Sequence, residues 1–469
     1  MTTPTPSSPN PRSPFFSRRA MLKTVSSGFG YLAFAGLAAR AAAAGTSVPG
    51  LGPLAPKAPH SAPRAKRVIF LCMRGGPSHV DTFDYKPKLM AASGSPGIRP
   101  GTKLLGSKWK FARRGQSGLW ISDLFPNVAN HADQICLLRS MQTDLPAHPQ
   151  AFLEMHTGSF QFVRPSLGAW TLYGLGTENE NLPGFVTLTP PAAYGGAQNY
   201  GSAFLPAIYQ GTRLGADNRP IEGAEIRNLK SPLNTKVQQA ELDLLQTLNR
   251  ETLRLDRSNP DVEGVIESFE LAFRMQKEMP QVMDLSRESE ATKKLYGFDD
   301  AATADFGRKC LLARRFAEAG VRFVEISHGD WDQHFNLTTA LGANCRSVDR
   351  PIAALLTDLK QRGLLQDTLV IWGGEFGRTP HAQGDDGRDH NNKGFTMWMA
   401  GGGVKGGVAH GSTDDYGYEA VENKVHVHDL HATVLHLLGL DHERLTYRYA
   451  GRDFRLTDVH GNVVKDILA

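Results

Sequence analysis

Unbroken apolar runs that end in glycine recur through this chain, and they set the first expectation of its architecture. Arg67-Val-Ile-Phe-Leu-Cys72 does not alternate and leads into Arg74-Gly75-Gly76-Pro77. Such a run predicts a strand buried on both faces, as in a parallel sheet. Phe306 to Ala319 has helical composition, stops at Gly320 and leads into a strand from Val321 to Ile326. Asp349 is predicted to cap a second helix through Lys360, with Gly363 as its stop and a strand at Thr368–Trp372 behind it. A strand at Phe395–Ala400 and a helix from Asp429 to Leu438, closed by Gly439, complete the series. Helix, glycine, strand and loop in repetition predict an α/β fold with a mainly parallel sheet.

The middle of the chain breaks this rhythm. Residues 190–232 are rich in Gly, Pro, Asn and Tyr without a clear period, and two helical stretches follow. In the second, Val262, Ile266, Phe269 and Phe273 fall on one helical stripe. Residues of about 190–300 are therefore expected to be an insertion that covers the sheet or forms a cap.

The N-terminus has a different pattern. Ser17-Arg18-Arg19-Ala20-Met21-Leu22-Lys23 precedes a weakly apolar run and the small residues Ala41–Ala44. A basic start, an apolar middle and an Ala-x-Ala end make an export signal, and the paired arginines select the twin-arginine translocase. The 16 residues from Thr24 to Ala39 are short and weak for a bilayer span, which needs about 20 mostly apolar residues. Residues 1–44 are thus expected to be a removable signal, 45–65 a Pro/Gly/Ala-rich linker and 66–469 the functional domain, periplasmic or extracellular, with no stable membrane anchor.

That signal also explains the charge. Arg12, Arg18, Arg19, Lys23 and Arg40, with no acid among residues 1–44, account for the whole formal net charge of +5. The basic balance therefore implies no nucleic-acid partner. The 4 cysteines form no C-x-x-C pair, which excludes the usual redox and zinc-knot motifs.

In an open parallel sheet, ligands bind beyond the carboxyl ends of the strands. The loops placed there hold Ser78-His79-Val80-Asp81, His328-Gly-Asp330-Trp-Asp332-Gln-His334, Gly374-Glu375-Phe376-Gly377-Arg378 and Arg388-Asp389-His390-Asn391-Asn392. Imidazoles and carboxylates in this number suit one or two divalent metals, zinc first, with iron, manganese or calcium as alternatives. Arg74 or Arg378 is a candidate to grip an anionic substrate bidentately. Two other motifs fail. Gly401-Gly-Gly403-Val-Lys-Gly406 lacks the helix that a dinucleotide site needs, and Gly76-Pro77-Ser78-His79 is no nucleophile elbow.

Five segments carry a family resemblance: Gly75-Gly-Pro-Ser-His-Val-Asp-Thr-Phe-Asp84, Trp331-Asp-Gln-His334, Gly374-Glu-Phe-Gly-Arg-Thr-Pro380, Arg388-Asp-His390 and Val427-His-Asp-Leu-His-Ala-Thr-Val-Leu435. From about Arg67 onward the chain resembles the exported bacterial family called domain of unknown function 1501, which looks like a branch of the alkaline phosphatase and sulfatase superfamily. That resemblance implies a doubly wound α/β sandwich with helices on both faces and its site at the strand ends. It also implies one metal position made of Asp332 (or Asp330), His334 and His390. The superfamily's nucleophile position holds His148, as a ligand, a general base or an unusual nucleophile. The acid after the first strand is Arg74, and the late Asp-His pair reads Glu375-Phe376, of which only Glu375 can ligate. His79, Asp81 and Asp389 are further candidate ligands.

Two functions follow as expectations. One is a metal-dependent hydrolase acting on a small anionic ester or on a sulfated or phosphorylated polymer. The other is an envelope binding or structural protein on a hydrolase fold. His431 and His436 are expected to be packing or surface residues of their helix, with His428 nearer the site.

Overall fold

The computed structural model describes residues 52–469 apart from 218, 227–228, 230–233 and 256–259. The export signal expected at residues 1–44 lies outside the described residues. Among those described, no helix is long and apolar enough to cross a membrane.

A 9-stranded sheet organises the domain. Its strands are β1 (Arg67–Met73), β2 (Ile135–Gln142), β3 (Phe185–Leu188), β4 (Thr212–Leu214), β5 (Phe323–His328), β6 (Thr368–Gly373), β7 (Phe395–Ala400), β8 (Val408–His410) and β9 (Val425–His426). The spatial order is β8-β2-β7-β6-β1-β5-β3-β4, and β9 also pairs with β2. Every residue of β1 is buried, as its unalternating sequence predicts for a central strand. β1 pairs in parallel with both β5 and β6. β7 is antiparallel to its neighbours β2 and β6, so the segment entering it lies at the edge where the parallel strands end.

The longer helices among the described residues are α1 (His148–Thr157), α2 (Leu167–Leu175), α3 (Thr235–Leu255), α4 (Pro260–Met283), α5 (Ala304–Glu318), α6 (Leu337–Gln361) and α7 (Val427–Leu437). Both faces of the sheet are covered. On one, Phe70, Cys72 and Glu325 meet His156 of α1. On the other, Trp372 packs edge-on against Phe83 and Trp331 at ring separations of 5.1 and 6.2 Å. Burial of such aromatic surface is a leading contribution to core stability.

Asp349 caps no helix of its own. It lies inside α6, which runs through Pro351, and its carboxylate accepts the backbone N–H groups of Asn127 and Val128 at 3.0 and 2.8 Å. Proline inside a helix removes one backbone bond and normally marks a boundary. Here Val348, Ile352 and Leu355 are fully buried around it, and packing carries the helix across. The stripe expected on α4 is also displaced. Leu271, Met275 and Met279 are its buried residues, whereas Phe269 is 50% exposed, and the side chain of Val262 lies outside those described.

Residues 52–64 do not behave as a free linker. Thr177 N–H donates to Leu54 O, Lys57 N–H to Leu175 O, and Arg64 N–H to Leu437 O. The long loop expected after residue 190 contributes β4, which extends the sheet beside β3.

Candidate functional site

His148 is the first residue of α1, in the turn that follows β2. Pro149 suits the opening turn because its missing N–H would have had no helical partner there. Gly158 closes the helix at φ 68°, a left-handed conformation that favours glycine. This short helix, closed by Gly158, holds its first side chain over the end of the sheet.

Asp332 and His334 come from the loop after β5. Asp330 turns that loop at φ 68°, which sends Trp331 inward to donate its indole N–H to His328 Nδ1 at 3.0 Å. His390 comes from a two-stranded ribbon, Gly377–Ala382 with Arg388–Asn391, which leads into β7.

These four side chains converge. The Nε2 atoms of His148, His334 and His390 lie 3.2, 2.9 and 3.2 Å from one oxygen, Asp332 Oδ1. His334 Nε2 and His390 Nε2 are 2.9 Å apart. Donors about 2.0–2.1 Å from a tetrahedral zinc stand about 3.3 Å from one another, so the cluster has the span of a single-ion site.

The other ring nitrogens say more than the span. His148 Nδ1 faces Glu375 Oε1 at 2.6 Å, His390 Nδ1 faces Pro146 O at 2.7 Å, and His334 Nδ1 faces Gln383 Oε1. Each partner is an acceptor, so each Nδ1 carries the proton and each Nε2 turns a lone pair inward. Outer-shell acceptors of this kind fix the tautomer of metal-binding histidines. His148 Nε2 is buried and has no hydrogen-bond partner. Three lone pairs around one carboxylate oxygen fit a divalent cation.

Charge is strongly redistributed here. Burial would raise the Asp332 carboxyl, but the His148 and His390 rings and the Arg378 guanidinium beside it hold it far below the usual carboxylate range. Burial likewise opposes the charged form of His148, yet the Asp332 and Glu375 carboxylates beside it leave its pKa raised.

The remaining expected residues separate into distinct environments. Glu375 is not in the ligand cluster. Its fully buried carboxylate receives Gly75 N–H at 3.0 and 3.2 Å together with His148 Nδ1–H. Asp81 is spent on Arg388, at 2.7 and 3.1 Å, and on Ser78 Oγ. His79 directs Nε2 to Gly417 O at 2.8 Å, and Asp389 pairs with Arg99 at 2.8 Å. Asp330 offers only its carbonyl, to Gln333 and Asn344. Short sequence distance placed these four near the site; the chain's turns point them elsewhere.

The two arginines also divide. Arg378 is fully buried, and its guanidinium bonds to Gly76 O, Gly75 O, Arg388 O, Trp331 O and Asp332. All three of its nitrogens are turned to the protein from a fully buried position, so it is a structural clamp. Arg74 keeps a 3.0 Å ion pair with Asp217 and lies 5.3 Å from the Tyr194 ring. Tyr194, with φ 54°, stacks on His148 at 5.2 Å. Tyr194 and Asp217 come from the aperiodic stretch, where nothing in the sequence marked them.

A cavity of about 660 Å³ lies one residue outside the cluster, lined by none of its four members, with Arg99, Lys103, His381, Gln383 and Asp389 in its wall. Gln383 and Asp389 join it to His334 and His390. Elsewhere Cys72, His156 and Glu325 form a fully buried group. His156 donates Nδ1–H to Phe152 O at 2.7 Å and faces Glu325 with Nε2 at 3.2 Å, an ion pair that ties α1 to the sheet.

The chain belongs to the family described as "Protein of unknown function (DUF1501)", whose model matches residues 65–468. No curated protein matches it. Among solved structures it is similar to the PsFucS1 sulfatase from Pseudoalteromonas sp., at 13% identity over 81% of this chain and 69% of that one, TM-score 0.36. It is also similar to alkaline phosphatase from the Antarctic bacterium TAB5, at 13% identity over 75% and 94% of the chains, TM-score 0.30. A third likeness is to the lipoteichoic acid synthase LtaP from Listeria monocytogenes, at 10% identity over 86% and 78%, TM-score 0.35. At these values no chemistry passes from them to this chain.

Proposed function

We propose that the chain is an exported, metal-dependent hydrolase of phosphate or sulfate esters, reaching the periplasm or the exterior through the twin-arginine translocase. The observation that carries this reading is the shared orientation of His148, His334 and His390, whose Nδ1 protons are all accepted and whose Nε2 atoms all meet Asp332. Those four residues would hold the ion. A bound divalent cation supplies Lewis-acid charge to the oxygens of an oxyacid ester.

The chain's own groups complete the chemistry. Arg74 carries the cation that meets an anionic substrate, with Asp217 and Tyr194 fixing its direction. Glu375 holds His148 in one tautomer, and the Tyr194 and Phe376 rings beside His148 limit the water around it. His148 is placed to ligate or to move a proton at Nε2. The nearby cavity, with Arg99 and Lys103 in its wall, has room for the remainder of a small ester or for one unit of a charged polymer.

A second reading has one observation in its favour. Arg378 Nη2 already sits 2.6 Å from Asp332 Oδ1 and supplies a counter-charge without any ion. On that reading the protein is a metal-free envelope binding protein. Metal analysis of protein purified without chelator, followed by a screen of chromogenic phosphate and sulfate esters, separates the two. About one ion per chain and hydrolysis support the enzyme. Less than about one tenth of an ion per chain would sink it.

A further inference from the structure

The segment Thr143–His148 has a second cluster on it. Behind the turn that delivers His148, Glu154 of α1 meets His426 and His428 at the end of β9 and the start of α7. The ligand atoms of these three residues lie within 4.8 Å of one another. Asp144 joins them. His426 Nε2 is 3.2 Å from Asp144 Oδ1 and 3.7 Å from Glu154 Oε1.

Several polar atoms here lack the partners that burial demands. Glu154 is fully buried. Its Oε2 accepts Thr143 Oγ1–H at 2.7 Å and Asp144 N–H at 3.2 Å, whereas its Oε1 has no hydrogen bond. His428 is 6% exposed and its Nδ1 is also unpartnered. Unsatisfied buried polar atoms are costly and few in folded proteins. Here two of them belong to one group, in which two carboxylates also lie close together. A cation would sit between the neighbouring carboxylates and satisfy both idle atoms.

We infer that Glu154, His426 and His428, with Asp144 at the rim, bind a second divalent cation of the zinc or manganese kind. Two imidazoles and two carboxylates form an N2O2 donor set suited to those ions. His426 must reorganise to take part, because its Nδ1 accepts His428 N–H in a long 3.3 Å cap. A cation on Nε2 moves the ring proton to Nδ1 and gives up that cap. The helix keeps Asp429, whose carboxylate accepts His426 N–H at 2.8 Å. The two sites share one strap of chain: Asp144 belongs to the second, while Pro146 O and His148 serve the first.

Titration of the metal-free full chain with cobalt(II), read by visible absorbance, and with zinc(II), read by elemental analysis, tests the inference. The wild type is expected to bind two ions. Glu154→Gln and His428→Gln should each lose one, and His334→Gln should lose the other. Glu154→Gln keeps the shape and the Thr143 bond, so it decides the matter if His428→Gln does not fold. One ion that disappears in His334→Gln, or two ions retained in Glu154→Gln, overturns the second site. One ion that survives His334→Gln and disappears in Glu154→Gln supports it, and contradicts the first site instead.

Discussion

Glu375 receives the Nδ1 proton of His148 across 2.6 Å and so determines which nitrogen His148 presents to Asp332. The two residues are 227 positions apart, at the ends of β6 and β2. Glu375→Gln keeps the volume but replaces the carboxylate with an amide that can donate instead. Loss of such an outer-shell partner costs about 10–100-fold in metal affinity or activity. We expect metal affinity to fall in that range by competition with a chromophoric chelator, with unchanged circular dichroism.

Removal of an inner group should act more steeply. His390→Ala leaves two imidazoles and the carboxylate. The expected outcome is loss of stoichiometric metal by elemental analysis and a fall in ester hydrolysis of about 100-fold or more. Hydrolysis equal to wild type would detach the cluster from the reaction.

The two arginines predict opposite phenotypes. Arg378 is encased and tied to four carbonyls and Asp332. Arg378→Met should destabilise by about 1–3 kcal/mol, as expected when buried carbonyls lose their donor, seen as a lower denaturation midpoint. Arg74→Met is expected to raise KM for anionic esters at least about tenfold, the loss of one charge-assisted contact, with little change in midpoint.

The pair His156–Glu325 gives stability a pH dependence. Burial is the largest influence and lowers the His156 pKa, but the Glu325 charge and hydrogen bond, with the Phe152 carbonyl and the Glu375 charge, together outweigh it and the net shift is upward. A histidine raised on folding stabilises fully below its unfolded value, about 6.5. That contribution is lost as pH rises through the higher folded value. Urea denaturation from pH 6 upward should therefore show falling stability that Glu325→Gln flattens. An unchanged slope in the variant would mean that His156 is not the titrating group.

Gly75 is predicted to be intolerant of any side chain. It stands at φ +115°, and a Cβ there would come within 2.7 Å of Asp332 N and 2.9 Å of Trp331 N. Gly75→Ala should displace the Asp332 loop and reduce metal content by elemental analysis, even where the protein still folds.

Much of this was legible in the chain. β1 and β6 are apolar runs, β5 and β7 are mostly so, and two of the converging histidines, His334 and His390, flank β5 and β7. β2 was not visible as a strand, because Arg139 and Ser140 interrupt Ile135–Gln142, and β3 is only four residues long. His148 stood out through the family pattern alone. Sequence spacing could not show which acids turn toward the histidines. Asp81 and Asp389 are as close to the motifs as Asp332, but arginines from other elements capture them. Tyr194 and Asp217 reach the site by a fold of the aperiodic stretch, which no periodicity encodes.

The reversed direction of β7 has a consequence for how the site is assembled. Because β6 and β7 are antiparallel neighbours, the chain from Gly374 to Gly394 leaves the sheet and re-enters it at one edge, without a crossover. That span carries Glu375, Arg378, Gln383 and His390. Its outer turn is anchored in its own right, since Gln383 meets His334 Nδ1 and Asp386 accepts from Thr338 at the start of α6, so one continuous segment positions a ligand, its outer partners and the clamp together.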